Sequence, residues 1–332
     1  MSLQRHPLLR VLALPFTRAL LALGLIFLLG LIFNADGAFL KWGTHRDMLR
    51  QISVYGILAC GLTVVIITAG IDLSVGSVLG LVAVLFSILS IHLQWSSPLA
   101  VVVCLAAGIL CGAASGLAIT AFGMQPFIAT LAMMVFARGL AKYVSGGQKI
   151  SNYVQAPDGS FTYLQLPKVF EVLDARLFGG NIAAVTLIFL LCLCLTGVLL
   201  AFMRHGRYLY AIGGNESAAA LSGVPVNKMK ILAYAVSGLF AAVAGICQAA
   251  QEYQGDPEAG ATYELSAIAI VVIGGTSLMG GRGGVLLTLL GTLTIGYLEK
   301  ILSINAVGEA SRLMLTGGIV VTAVALQRLR RQ

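Results

Sequence analysis

The chain has 332 residues, of which 58% are hydrophobic and only 10% are charged, and its mean hydropathy is +0.95. This composition excludes an ordinary water-soluble domain and predicts an all-α polytopic membrane protein, a single transmembrane domain over residues 1–332. The formal net charge of +8 does not indicate nucleic-acid binding, because the basic residues form no patch and are not interleaved with aromatics. Contact with the headgroups of membrane lipid is the expected role of these residues.

The apolar runs predict about ten transmembrane helices. Residues 11–33 and 183–203 meet the length of about 20 apolar residues that a bilayer requires. The first run is expected to be an anchor, because it is too long for a signal peptide and lacks a small-residue cleavage site. An even number of spans puts both termini on one side, and the Lys and Arg distribution favours the cytoplasm. The other predicted spans are 52–69, 73–91, 98–121, 126–144, 231–251, 263–278, 285–304 and 313–326.

The longest connection, residues 145–181, is expected to be a periplasmic loop. It carries two prolines, two Gly-Gly pairs and mixed charge. A connection of this length without structure is uncommon in a compact protein, so we expect a short helix or hairpin within it. Its role is open between a lid or docking surface and a plain spacer.

Residues 204–230 form a polar segment within an otherwise apolar sequence, which predicts a structured cytoplasmic loop. Gly213 and Gly214 interrupt the chain, Asn215 suits an N-cap, and Gly223 suits a helix end. The pattern therefore predicts a short capped helix. Because a helix of about two turns is marginal on its own in water, we expect it to dock into another protein.

Two apolar segments are interrupted by glycine, around residues 68–76 and 273–281, and predict broken membrane helices. Both contain the pattern Gly-x-x-Leu-x-x-Gly, which starts at Gly70 in the first segment and at Gly275 in the second. Corresponding breaks in two halves of a transporter indicate an internal repeat and a central site. Glycine-rich apolar sequence also produces such matches by chance, so both interpretations stay open.

Asp72 is the most informative single side chain. A carboxylate flanked by Ile71 and Leu73 is costly in hydrocarbon and ordinarily faces a cavity or a partner. It either contacts a transported solute or caps a helix that starts at Leu73, accepting from the amides near Val75 and Gly76.

A second candidate lies at the start of the span 126–144, where Pro126 suits the first helical turn and Gln125 offers an amide. Further along this span, Arg138 is expected to reach the membrane interface or to pair with Glu264 or Glu299. The glycine content and the few polar groups in the spans favour a path for a small solute of little charge. The residues predicted to line it are Asp72, Ser74, Gln125, Phe127 and Thr130.

Motifs for chemistry are absent from the sequence. There is no Walker loop, no constellation of nucleophile and base, and no cysteine and histidine spacing for a metal. The six cysteines lie in predicted spans and are expected to pack as small apolar residues. We therefore expect neither catalysis nor a metal or cofactor in this chain.

Four motifs in order resemble the permease subunits of bacterial ABC sugar importers, of the ribose, arabinose and galactofuranose type. They are GIDLSVG at 70–76, QPFIATL at 125–131, IGGNE at 212–216 and VIGG at 272–275, so the resemblance covers nearly the whole chain. It implies a second permease subunit, cytoplasmic ABC ATPase subunits that bind ATP and Mg, a periplasmic sugar-binding protein, and a location in the bacterial inner membrane.

The resemblance also implies that residues 215–223 form the coupling helix that contacts the ATPase. Asn215 and Gly223 are then expected to hold its shape. The predicted polar contacts are Glu216 and Ser217, and the predicted groove-filling residues are Ala218, Ala219 and Leu221.

Other interpretations stay open at this stage. An ion- or proton-coupled secondary carrier would explain Asp72 and an internal repeat, although it needs no capped docking helix. An ABC permease for nucleosides or branched-chain amino acids is a second alternative. The sequence specifies neither the sugar nor a choice between a homodimer and a heterodimer.

Overall fold

A computed structural model describes residues 14–155, 160–308, 310–312, 314–315 and 317–318. Within these residues the structure is helical apart from two short β-hairpins, which confirms the predicted all-α polytopic fold. The helices are α1 (Pro15–Ile32), α2 (Trp42–Ile67), α3 (Val75–Ser87), α4 (Ser97–Ala121), α5 (Pro126–Ser145), α6 (Lys168–Asp174), α7 (Ala184–Gly197), α8 (Arg204–Gly214), α9 (Glu216–Leu221), α10 (Val226–Glu252), α11 (Tyr263–Gly274) and α12 (Val285–Ile304).

Eight helices in the described part of the chain are long and apolar enough to cross a membrane. They coincide with eight predicted spans, and π-helical turns extend α3 through Ile88–His92 and α7 through Val198–Phe202. The predicted span 263–278 is shorter in the structure, because Gly275 has a φ of 107° and ends α11 at Gly274. The predicted span 313–326 lies largely outside the described residues.

The predicted start of α2 at residue 52 is also wrong, because the helix begins ten residues earlier, at Trp42. Its first turns are polar and are stabilised by the 145–181 connection. Arg46 donates to the carbonyl of Gly180 at 3.0 Å, and Arg50 forms an ion pair with Asp174. A search for apolar stretches in the sequence cannot detect helical turns that are stabilised by such polar contacts.

Helices α2 and α3 form the centre of the protein, whereas α1 lies at its edge. In α2, and in α3 with its π-helical turn, 83% of the residues in the most apolar 18-residue stretch are buried, compared with 11% in α1. Helix α10 packs against α2, α3 and α4. The core is therefore a group of helices packed around α2 and α3.

Glycine allows α4 and α10 to cross closely. A Cβ added to Gly238 of α10 would lie 2.1 Å from the carbonyl oxygen of Gly108, and one added to Gly112 of α4 would lie 2.1 Å from the carbonyl oxygen of Tyr234. Small residues at such crossings let membrane helices approach through their backbones. The packing explains part of the high glycine content of the chain.

The connection 145–181 contains structure, as predicted. It holds α6 and two antiparallel hairpins, which pair β1 (Tyr153–Gln155) with β2 (Phe161–Tyr163) and β3 (Arg176–Leu177) with β4 (Ile182–Ala183). Helix α7 begins at the end of this connection, and the other end of α7 leads to α8 and α9. The connection and these short helices therefore lie on opposite sides of the helix group.

Candidate functional site

Helix α9 is a short capped helix at the surface, which confirms the predicted local structure. The side-chain oxygen of Asn215 accepts a hydrogen bond from the amide of Ala218 at 2.9 Å. Gly223 has a φ of 81°, a conformation that favours glycine at a helix end. Leu221 is 91% exposed. Helix α9 therefore presents one large apolar side chain at its exposed end.

Two contacts hold α9 to its own chain. Both carboxylate oxygens of Glu216 accept from the Lys230 ammonium at 2.7 Å, which ties α9 to the start of α10. Ala219 is 5% exposed and packs in a cluster with Leu209 and Met229. The predicted groove-filling role of Ala219 is therefore corrected, since this side chain faces the protein's own core and not a partner.

Helix α8 joins α9 to the membrane core through a glycine contact. A Cβ on Gly213 would lie 1.8 Å from the carbonyl oxygen of Ile67, the last residue of α2. The amide of Gly281 donates to the same oxygen at 2.9 Å. The ends of α2 and α8 and the second glycine segment therefore meet at one point, which gives α9 a direct mechanical connection to the centre of the protein.

Both glycine segments are breaks between helices, as predicted. Residues 68–74 separate α2 from α3, and residues 275–284 separate α11 from α12. The two breaks also touch, because a Cβ on Gly280 would lie 2.8 Å from the amide nitrogen of Ala69. The internal repeat stays a prediction.

Asp72 is fully engaged within the protein. Its Oδ1 accepts from the amide of Ser74 at 2.9 Å and from the Ser74 hydroxyl at 2.6 Å, and its Oδ2 accepts from the Ser237 hydroxyl at 2.7 Å. The expectation that Asp72 caps a helix from Leu73 through the Val75 and Gly76 amides is wrong. Helix α3 begins at Val75, and the carboxylate instead fixes the turn before it to α10.

The other residues predicted to line the path divide into two groups. Ser74 and Thr130 are buried, and the Thr130 hydroxyl lies 3.4 Å from the Ile71 carbonyl, beside the Asp72 turn. Gln125 and Phe127 are exposed at the start of α5. The structure therefore gathers Asp72, Ser74 and Thr130 at the first break.

Arg138 has partners that the sequence did not indicate. Its guanidinium donates to the carbonyl oxygens of Pro257 and Ala259, the latter at 2.8 Å. It binds these carbonyls in place of a direct ion pair with Glu264 or Glu299, so the expected pairing is corrected. Arg138 thereby holds the connection between α10 and α11 against α5.

Two recesses differ in chemistry. The larger, of about 900 Å³, lies between α1, α7 and α12 and has apolar walls that include Phe16, Leu190 and Val285, as suits a surface in contact with lipid. The smaller, of about 280 Å³, is polar and lies between α2, α10, α11 and α12. None of the five residues predicted to line a path lines either recess. The polar recess was missed because its residues come from four helices and form no motif.

The sequence of the chain matches a protein family over residues 46–324. The family is described as the branched-chain amino acid transport system permease component. The chain belongs to this permease family. It is therefore a multi-pass membrane transport protein rather than an enzyme, with the fold described above.

Individual permeases are similar over nearly their full length. The ribose import permease protein RbsC of Escherichia coli K12 is 36% identical over 93% of this chain and 93% of its own. The RbsC protein of Bacillus subtilis is 37% identical over 92% and 91%, and the xylose transport system permease protein XylH of E. coli K12 is 33% identical over 92% and 89%. No solved structure matches the chain.

Proposed function

We propose that this chain is the transmembrane permease subunit of an ATP-driven importer of a monosaccharide. The proposal rests on two findings taken together. Sugar permeases are similar to this chain over 92–93% of its length, and helix α9 is exposed, capped and tied to the membrane core. A periplasmic sugar-binding protein delivers the sugar. Cytoplasmic ABC ATPase subunits bind ATP and Mg and supply the free energy. A second permease subunit, identical or similar, completes the pathway.

The geometry of α9 supports its role as the coupling helix. Leu221 enters the groove of the ATPase, and Ser217, Ala218 and the Glu216–Lys230 pair lie at the rim of that contact. When the ATPase subunits close, α9 moves with them. The close contact of Gly213 with Ile67 then transmits the movement to α2 and to both glycine breaks.

The orientation follows from the same contact. Because the ATPase is cytoplasmic, α9 and α8 lie on the cytoplasmic side of the bacterial inner membrane, and the 145–181 connection lies in the periplasm. Pro15 lies against Gly275 on the α9 side, which supports a cytoplasmic N-terminus. We propose the same side for the C-terminus, on the basis of the predicted tenth span.

The first break forms part of the gate in this proposal. Asp72, Ser74 and Thr130 hold the break in one conformation, and Gln125 and Phe127 lie at the exposed start of α5 beside it. Alternating access requires an element with two packings, and a glycine-rich break between helices supplies one. A secondary carrier driven by an ion gradient would not need an exposed docking helix, so this alternative is not favoured.

Co-purification with the ATPase encoded beside the gene tests the proposal. The pair is reconstituted in lipid, and ATP hydrolysis is measured with and without the neighbouring binding protein loaded with ribose, xylose or leucine. Hydrolysis stimulated by a sugar-loaded binding protein is expected. The absence of a stable complex, or stimulation by leucine alone, would contradict it.

A further inference from the structure

The polar recess between α2, α10, α11 and α12 has the features of a ligand site. Its volume of about 280 Å³ is just below the range of about 300–1,000 Å³ that is typical for drug-sized ligands, so it suits a smaller molecule. It lies around Tyr55, twelve residues and therefore about 18 Å along α2 from Ile67. It therefore lies near the ends of these helices on the far side from α9, where α10 and α12 end and α11 begins.

The walls of the recess combine an aromatic face with amide and hydroxyl groups. The rings of Tyr55 and Tyr263 lie with centroids 4.3 Å apart and planes at 31°. The side chains of Tyr55 and Gln248 lie near the Tyr263 hydroxyl. Gln248 is 8% exposed and donates to Glu252, so its amide is held in a defined orientation. Gln251 also lines the recess and donates to the Arg50 carbonyl.

The charged groups of the recess are of both signs. Glu299 and Arg312 lie close enough to interact electrostatically, and Lys300 is beside them. The Nε of Arg312 is buried and has no hydrogen-bond partner among the described residues. A buried donor without a partner is costly, and a ligand oxygen would satisfy it. Mixed charge of this kind suits a ligand with many hydroxyls and no net charge better than an ion.

The recess also lies beside the connection between α10 and α11. Helix α11 begins at Tyr263, directly at the recess, after a turn in which Thr262 has a φ of 67°. Branched-chain amino acids need an apolar wall for the side chain, and here Met48 and Ile52 are the main apolar side chains among mostly polar ones.

We infer that this recess is a monosaccharide subsite on the transport path, in which Tyr55, Gln248, Gln251, Tyr263 and Arg312 bind the sugar hydroxyls. The inference rests on the proposed function and assigns a place to its substrate. It places sugar contact away from Asp72, whose oxygens are already occupied by Ser74 and Ser237.

The test uses the full complex of permease, ATPase and loaded binding protein in proteoliposomes, with ribose and xylose as the probes. Tyr263→Phe removes one hydroxyl and keeps the ring, and Gln248→Met removes the amide at similar size. The matched control is Tyr297→Phe, also an intramembrane tyrosine, whose ring packs against Phe27 and Phe39 outside the recess. Loss of a single hydrogen bond in a buried site corresponds to about three- to tenfold in affinity.

We expect Tyr263→Phe and Gln248→Met to reduce sugar uptake per ATP hydrolysed by about three- to tenfold, while stimulation of the ATPase by the loaded binding protein and uptake by Tyr297→Phe stay normal. If the wild-type complex hydrolyses ATP and transports sugar, and both recess variants match Tyr297→Phe, the subsite is wrong and the proposed function stands. If the wild-type complex transports neither ribose nor xylose, this result contradicts the proposed function itself. Should Gln248→Met lower the melting temperature, the one-oxygen change Tyr263→Phe decides alone.

Discussion

The Ser237 hydroxyl donates a hydrogen bond of 2.7 Å to the carboxylate of Asp72, 165 residues earlier in the chain. This contact joins the turn before α3 to the middle of α10. Both residues are about 1% exposed, so water cannot replace the bond. The helix break is consequently fixed by a buried polar contact and not by local sequence alone.

Asp72→Ala is expected to destabilise the protein, because it leaves the Ser74 amide and the Ser237 hydroxyl without their acceptor. The expected loss is about 1–3 kcal/mol in the free energy of unfolding. Asp72→Asn keeps an oxygen for Ser74 and gives Ser237 a donor, so it is expected to retain stability and uptake. Thermal unfolding of the purified variants in detergent measures the difference. An unchanged midpoint for Asp72→Ala would contradict the structural role, and loss of uptake by a stable Asp72→Asn protein would instead indicate solute contact.

Leu221→Asp is expected to separate the permease from its ATPase. A charge would enter the apolar centre of the contact. The few residues that dominate binding at such a centre contribute about 2 kcal/mol or more, which corresponds to a loss of about thirtyfold in affinity. Co-purification of the ATPase measures the effect. The control is Leu177→Asp, which places the same charge at an exposed leucine on the opposite side of the protein. Equal recovery of ATPase with both variants would show that α9 is not the docking helix.

Gly112→Ala is expected to force α4 and α10 apart, since the added methyl group would lie 2.1 Å from the Tyr234 carbonyl oxygen. Overpacking of this kind costs about 1–3 kcal/mol. Gly139→Ala is the matched control, because a Cβ there meets nothing within 4 Å. The thermal midpoint should fall for the first variant and stay the same or rise slightly for the second. A fall of similar size for both would show that glycine is needed for reasons other than the crossing.

Arg138→Met is expected to loosen the connection between α10 and α11, because the carbonyls of Pro257 and Ala259 lose their donor. Hydrogen exchange of residues 253–262 should become faster while exchange in α2 stays the same. Lys142→Met is the control: it removes a side chain that pairs with Glu258 at the exposed surface, where an ion pair contributes little. Unchanged exchange in Arg138→Met would show that this connection is held by its other contacts.

Local signals explain why α9 could be predicted from sequence. Asn215 and Gly223 act through the backbone within a few residues of themselves, so the helix and its ends follow from their types alone. The orientation of Ala219 could not be predicted, because it depends on packing against α8 and α10. A six-residue helix has too few positions to reveal which face is buried.

Long-range contacts explain what the sequence could not show. Arg138 binds carbonyl groups 119 and 121 residues away, and backbone acceptors carry no side-chain signature. The polar recess likewise brings Tyr55 together with Gln248, Tyr263 and Glu299, which lie far apart in the sequence on four different helices. Asp72 was recognised as unusual from its neighbours, but its partner Ser237 becomes visible only in the fold.

Sugar uptake into proteoliposomes under two energy sources tests the central claim most directly. Vesicles that contain this permease and its ATPase are given the sugar-loaded binding protein, either with ATP and Mg on the ATPase side or with a proton or sodium gradient and no ATP. The proposed function predicts uptake with ATP alone, and its loss in Leu221→Asp. Uptake driven by the gradient without ATP would contradict the account and would make the chain a secondary carrier.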